Sequence, residues 1–124
     1  MQNDSNYTDL NTPIIYFRKK VKDFVESRSW TKYHTPKNLV QAINCEAGEL
    51  SQLLLFKDYK KEDILDDKTL LEKISDEISD VFLYLISLVN CLDIDLTSAI
   101  IKKMEKNTQK YSEEEFNNGN YYKK

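Results

Sequence analysis

Along most of the chain, apolar residues recur at three- and four-residue steps, the period of a helix with one buried face, and this pattern marks out four helices. The first opens at Pro13, whose missing N–H is harmless in an initial turn, and carries Ile14, Phe17, Val21, Phe24 and Val25 to about Ser27. Arg18, Lys19, Lys20 and Lys22 fall on its wet side and read as a solvated face. Between Arg28 and Lys37 the period is lost and aromatic and polar residues mix, so this stretch is a connecting loop. Thr35 and Pro36 then supply an N-cap and a first turn for a second helix running to about Lys57.

From Asp58 to Lys68 the chain is dense in Lys, Asp and Glu, the composition of a charged surface loop. A third helix is expected from Lys68 or Thr69 to Leu92. Ten of the twelve residues from Val81 to Leu92 are apolar or aromatic, all but Ser87 and Asn90, which is wider than the stripe of a surface helix. Such a helix must be covered on more than one side, and for so small a protein a second subunit is the natural cover. Asp93-Ile94-Asp95 breaks the run, and Asp95 is placed to cap a fourth helix, Leu96 to about Tyr111, carrying Ile100, Ile101 and Met104. Residues 1–12 and 112–124 are polar and poor in core residues, and are expected to be loose ends of one helical domain, 13–111.

Composition fits this plan. With 124 residues, only two Gly and two Pro, the chain suits a single all-α domain of long helices. Cys45 and Cys91 each lie within a predicted helix without metal-type spacing, which favours reduced thiols over a disulfide. The first residues have no basic and apolar signal pattern, and the longest apolar run is shorter than the roughly 18 residues of a membrane span. The expectation is a soluble, cytoplasmic protein with no membrane partner. A net charge of -3 from interleaved signs offers no broad basic field, so a polymeric nucleic acid is not the expected partner.

Two acidic pairs change the picture from a bland bundle to a site. Glu46-Ala47-Gly48-Glu49 and Glu77-Ile78-Ser79-Asp80 each have i, i+3 spacing, which puts both carboxylates on one side of a helix. Leu39, Ile43, Leu50 and Leu53 define the stripe of the second helix; Glu46 falls near its centre, and Glu49 lies about 60° away, at its edge. On the third helix Glu77 sits beside the stripe of Leu71, Ile74, Ile78, Val81 and Leu85, while Asp80 lies farther round with Tyr84 one turn on. Inward carboxylates are costly unless paired or metal-bound, and no Lys or Arg stands at i±3 or i±4 of Glu46. Salt bridges to the first or fourth helix are one answer. A hard cation such as Mg²⁺ is the more economical one, since a single ion satisfies several carboxylates and can hold a polyphosphate. Gly48, between two of the acids, suggests the close approach of a helix or ligand. Di-iron chemistry is disfavoured because the single histidine, His34, lies in a loop outside any Glu-x-x-His motif. Gly-rich phosphate loops and nucleophile elbows are absent as well.

Read together, Trp30, His34-Thr-Pro-Lys-Asn-Leu39, Glu46-Ala-Gly-Glu-Leu50, Glu77-Ile-Ser-Asp-Val81 with Tyr84-Leu85, and Lys103-Met-Glu-Lys-Asn107 with Lys110-Tyr111 resemble the MazG-like all-α nucleoside triphosphate pyrophosphohydrolases. The single-domain dCTP pyrophosphatase branch is the most similar, and the likeness covers about Phe24 to Tyr111. It implies an oligomeric four-helix fold, a homodimer or homotetramer. The activity it implies is Mg²⁺-dependent hydrolysis of a nucleoside triphosphate to monophosphate and pyrophosphate, with Mn²⁺ a substitute ion and control of the nucleotide pool the role. The resemblance assigns the metal to Glu46, Glu49, Glu77 and Asp80, the phosphates to Lys103 and Asn107 with Tyr84 nearby, and the base to Trp30. Catalysis is expected of Glu46 and Glu49, with Glu49, at the stripe edge, orienting the attacking water. His34 is a further base-site candidate.

Two departures bear on the base. Leu55-Phe56-Lys57 stands where dCTP pyrophosphatases tend to have Gln-Trp-Lys, so Phe56 is the candidate stacking residue there. Val21 lies near a position where some relatives carry a base-contacting His. Both departures argue for a pocket that differs from that of a cytosine-specific enzyme, so the expected substrate is dCTP-like or a modified or non-canonical dNTP. A reading of another class is a catalytically silent helical module that binds nucleotides or a partner protein; the full set of four acids argues against it.

Overall fold

The computed structural model describes residues 6–124. All regular structure among the described residues is helical: α1 (Ile14–Ser27), a 3-10 turn (Thr31–Tyr33), α2 (Pro36–Gln52), α3 (Lys61–Asp66), α4 (Lys68–Cys91), α5 (Leu96–Lys110) and α6 (Glu113–Phe116). The four long helices are those the apolar period predicts. The chain divides into two compact units, one reaching Asp93 and the other Ile94–Lys124.

In the first unit, caps set the helix boundaries. Thr35 Oγ1 accepts a hydrogen bond from the Asn38 backbone N–H (3.3 Å) and Pro36 occupies the first turn, as expected for α2. Asp67 Oδ1 accepts from the Leu70 N–H (3.0 Å) at the head of α4. After α1 the chain reverses through Ser29, whose φ of 56° is a conformation that glycine usually supplies, with Ser29 N–H donating to Glu26 O and Trp30 N–H to Val25 O, both at 3.0 Å. That turn is what carries Trp30 back over the end of α1.

α2 and α1 pack against α4, and α3 contacts it as well. The fully enclosed core is small: Val25 of α1, Leu39 of α2, and Ile86 and Val89 of α4. A polar clamp joins α1 to α4, Arg18 Nε donating to Asn90 Oδ1 (2.9 Å) and Asn90 Nδ2 returning a bond to Arg18 O (3.0 Å). The expectation that α4 needs cover on several sides is met only in part, since Phe82 is 55 % exposed and Ile78, Leu83 and Leu85 are also exposed. No single helix among the described residues is long and apolar enough to cross a membrane.

Several local readings are corrected. α2 ends at Gln52 rather than about Lys57, because residues 53–56 form turns and Phe56 takes a φ of 58°. The charged stretch from Asp58 to Lys68 contains α3: Asp63 Oδ2 accepts from the Lys60 N–H (2.8 Å) to start it, and half-buried Ile64 anchors it. Gly48 has no neighbour within 4 Å of where a Cβ would stand, so no close approach within the chain explains it. The reading of residues 1–12 as a loose end lies outside the described residues for 1–5. Residues 6–12 form a turn held by Asn11, with Tyr7 stacked on Tyr16 at 4.7 Å.

In the second unit, Asp95 Oδ1 accepts from the Ser98 N–H (3.0 Å) and caps α5 as expected. The stretch from Ser112 is more ordered than its polarity suggests. It forms α6, capped by Ser112, and Phe116 packs edge-on against Tyr111 at 5.4 Å and beside Tyr122 at 4.8 Å. Glu115 accepts hydrogen bonds from Tyr122 Oη and Lys124 Nζ, which holds its carboxyl below the ordinary range.

Candidate functional site

The facing of α2 and α4 closes the two acidic pairs into one cluster. Carboxylate oxygens of Glu46, Glu77 and Asp80 all lie within 4.8 Å of one another. Glu49, one turn beyond Glu46, brings its carboxyl within hydrogen-bonding reach of both Glu46 and Glu77. Glu46 and Glu77 are half-buried while Glu49 and Asp80 are exposed, so the inner members sit under an open rim.

This arrangement is electrostatically unfavourable as it stands. Glu46 is pushed up from 4.5 to about 7, first by burial, then by hydrogen bonding with Glu49 and by the negative charges of Glu49, Asp80 and Glu77. Glu77 is raised for the same leading reason, burial, with the Glu49 charge next. Glu46 Oε2 and Glu77 Oε2 are buried and accept no hydrogen bond. None of the four acids forms an ion pair with Lys or Arg among the described residues, so salt bridges do not answer for their cost. Two orphaned oxygens beside a third carboxylate are a donor set that fits a hard divalent cation, which takes oxygen ligands and offsets crowded negative charge.

Beside the cluster, between α1 and α4, lies a mostly apolar cavity of about 480 Å³ whose lining includes Phe24, Trp30, His34, Asp80, Tyr84 and Ser87. Asp80 belongs to both cluster and cavity. Trp30, His34 and Tyr84, picked out separately in the sequence, are thus brought to one wall system; the His34 and Tyr84 rings lie 6.5 Å apart. The Phe24–Trp30 pair is edge-on at 5.8 Å, and the Arg28 guanidinium lies 3.6 Å from the Phe24 ring centre while donating to Phe24 O at 3.0 Å. Sequence reasoning passed over Phe24 and Ser87 because the helical period files the first as core and the second as an interruption. Phe56 does not line this cavity and is 96 % exposed. Lys103 and Asn107 stand one turn apart on α5 in the second unit, Lys103 exposed and Asn107 half-buried.

Helices that present clustered carboxylates beside an apolar cavity of small-molecule size suit a binding or hydrolytic site better than a purely structural bundle. No protein-family profile matches the chain. Individual relatives do: over 95 residues, 76 % of the chain, it is 34 % identical to dCTP pyrophosphatase 1 of Rattus norvegicus and 32 % identical to dCTP pyrophosphatase 1 of Homo sapiens. The match takes in 56 % of each of those proteins, so the chain spans about half the length of the curated relatives. Among solved structures, a pyrophosphatase from Archaeoglobus fulgidus superposes with a TM-score of 0.74 at 31 % identity, covering 86 % of this chain and 99 % of that one. The chain belongs to the MazG-like, all-α nucleoside triphosphate pyrophosphohydrolase family.

Proposed function

We propose that this protein hydrolyses a deoxynucleoside triphosphate between its α and β phosphates, releasing the monophosphate and pyrophosphate. The observation that carries this reading is the pair of orphaned buried oxygens, Glu46 Oε2 and Glu77 Oε2, next to a cavity of nucleoside size. Relatives named dCTP pyrophosphatase support the same choice. Glu46, Glu77 and Asp80 would hold Mg²⁺, with Mn²⁺ able to replace it, and Glu49 would complete the set. When bound, the ion supplies charge neutralisation on the phosphates and a lowered pKa for water.

The chain's own residues supply the rest. Glu49, exposed at the rim, accepts a proton from water and orients it. Trp30 and Phe24 offer aromatic faces to a base, and His34 and Tyr84 offer polar atoms at its edge. Lys103 and Asn107, sharing a face of α5, suit phosphate oxygens. The substrate is a dCTP-like or modified deoxynucleotide, and the role is control of the nucleotide pool. The exposed apolar surface of α4 suits a homodimer or homotetramer, and Phe56, exposed and outside the cavity wall of its own chain, would serve a base held by a second copy.

Incubating the protein with a panel of dNTPs and NTPs plus Mg²⁺, and measuring pyrophosphate, tests the proposal. Release of pyrophosphate with the monophosphate is expected; no release from any nucleotide at high enzyme would reject it, and orthophosphate as the first product would place the cut elsewhere. Glu46→Gln should abolish turnover and leave the oligomer intact. A wild type that binds nucleotides without turnover would favour the silent binding module instead.

A further inference from the structure

Ser87 interrupts the most apolar run of the sequence, and it is the buried polar residue of the described core, 8 % exposed. Other serines on α4 turn their hydroxyls back to the helix: Ser75 Oγ donates to Leu71 O at 2.8 Å and Ser79 Oγ to Ser75 O at 2.7 Å. The Ser87 hydroxyl makes no hydrogen bond among the described residues. The residue is buried, but its oxygen is not one of the enclosed unpartnered atoms of the described residues, which are Glu46 Oε2 and Glu77 Oε2, so the hydroxyl stays open to a ligand. Ser87 lines the cavity, together with the apolar Val21, Val25 and Leu83.

Its position along α4 gives that open hydroxyl a role. Asp80, Tyr84 and Ser87 follow one another at four- and three-residue steps, on one face of the helix. At the helical rise, Asp80 and Ser87 are separated by about 10 Å along the axis, the order of the span from a nucleotide's α phosphate to the far edge of its base. We propose that Ser87 is a base-reading residue: with the phosphates at the acidic end, its hydroxyl bonds a heteroatom on the edge of the base. This rests on the pyrophosphohydrolase reading of the same site. A hydroxyl both donates and accepts, so Ser87 pairs with an amino group, an oxo group or a ring nitrogen, and it selects a polar-edged base over a ligand that leaves it unpaired.

The test compares wild type, Ser87→Ala and Ser87→Thr on the best natural deoxynucleoside triphosphate and on a base-free deoxyribose 5-triphosphate. Ser87→Ala should lower kcat/KM for the natural nucleotide about tenfold, mainly through KM, and leave the base-free substrate unchanged. Ser87→Thr keeps the hydroxyl and should keep most of the activity. Equal loss on both substrates would assign Ser87 a packing role and overturn the proposal, as would no loss on either. A wild type inactive on every nucleotide would instead bring down the hydrolase reading on which the proposal stands.

Discussion

Cation binding by this protein should expel protons, in an amount fixed by Glu46. In the metal-free fold Glu46 sits at about 7 against an ordinary 4.5, so it holds a proton through a range in which the unfolded chain has released it. A cation takes the carboxylate form only. With the value near 7, about nine-tenths of Glu46 is protonated at pH 6, about half at pH 7 and about one-tenth at pH 8. Titrating Mg²⁺ or Mn²⁺ calorimetrically, in two buffers of different ionisation enthalpy at each pH, gives the proton count directly. Release should fall from nearly one proton per site at pH 6 toward none at pH 8, with Glu77, raised in the same direction, adding to the total at the acid end. The stability of the metal-free protein carries the complementary sign. Folded Glu46 binds more protons than unfolded between about 4.5 and about 7, so its contribution is fully present below 4.5 and is lost as pH rises through 7. Saturating cation should oppose that loss, and Glu46→Gln should remove it. Binding with a proton release that does not change from pH 6 to pH 8 would refute the crowded-carboxylate account.

Two stability predictions follow from local geometry. Gly48→Ala should stabilise the fold by about 0.5–1 kcal/mol, because Gly48 is an exposed position inside α2 with nothing within 4 Å of the new methyl, a gain read as a higher denaturant midpoint. A loss of stability that tracks a change in oligomeric state would show instead that another copy occupies that space. Asn90→Ala should cost about 2 kcal/mol in urea unfolding, since it strips the α1–α4 clamp and leaves Arg18 Nε and Arg18 O each short of a partner they have at 2.9 and 3.0 Å. A cost indistinguishable from zero would mean that the apolar contacts of Val25 and Val89 alone set the seating of α1.

What the sequence made legible was whatever one helix determines by itself. Thr35 and Asp95 mark helix starts through their own side chains, and both accept the expected backbone N–H. The phase of Glu46 against Leu39 and Leu53 places its carboxyl inward, and in the fold it is half-buried with Glu77 opposite. Where the signal depends on a neighbour, the period misleads. Leu53, Leu54, Leu55 and Phe56 prolong the apolar pattern of α2, yet the backbone leaves the helix there, and no periodicity reports a φ of 58°. α3 has only Ile64 to bury, Leu65 being exposed, which is too little to register in a window rich in Lys and Asp, and it forms in contact with α4. α6 rests in the same way on the Tyr111, Phe116 and Tyr122 rings.

The cavity shows why the site was harder to read than the fold. Its walls come from α1, Trp30 in the turn after it, His34 just past the 3-10 turn, and α4, so no single stretch carries its signature. Phe24 fits the core stripe of α1, and only the Ser29 reversal, which brings Trp30 against it, makes that ring a wall. Ser87 is the opposite case. In sequence it counts against an unbroken apolar helix, whereas in the fold its place two turns from Asp80 makes the same hydroxyl one of the polar points of a mostly apolar pocket. A polar residue inside an apolar run is thus informative in proportion to what the fold puts opposite it. Asn90, the other interruption, resolves to a structural clamp with Arg18, whereas the Ser87 hydroxyl has no partner among the described residues and is open to a ligand.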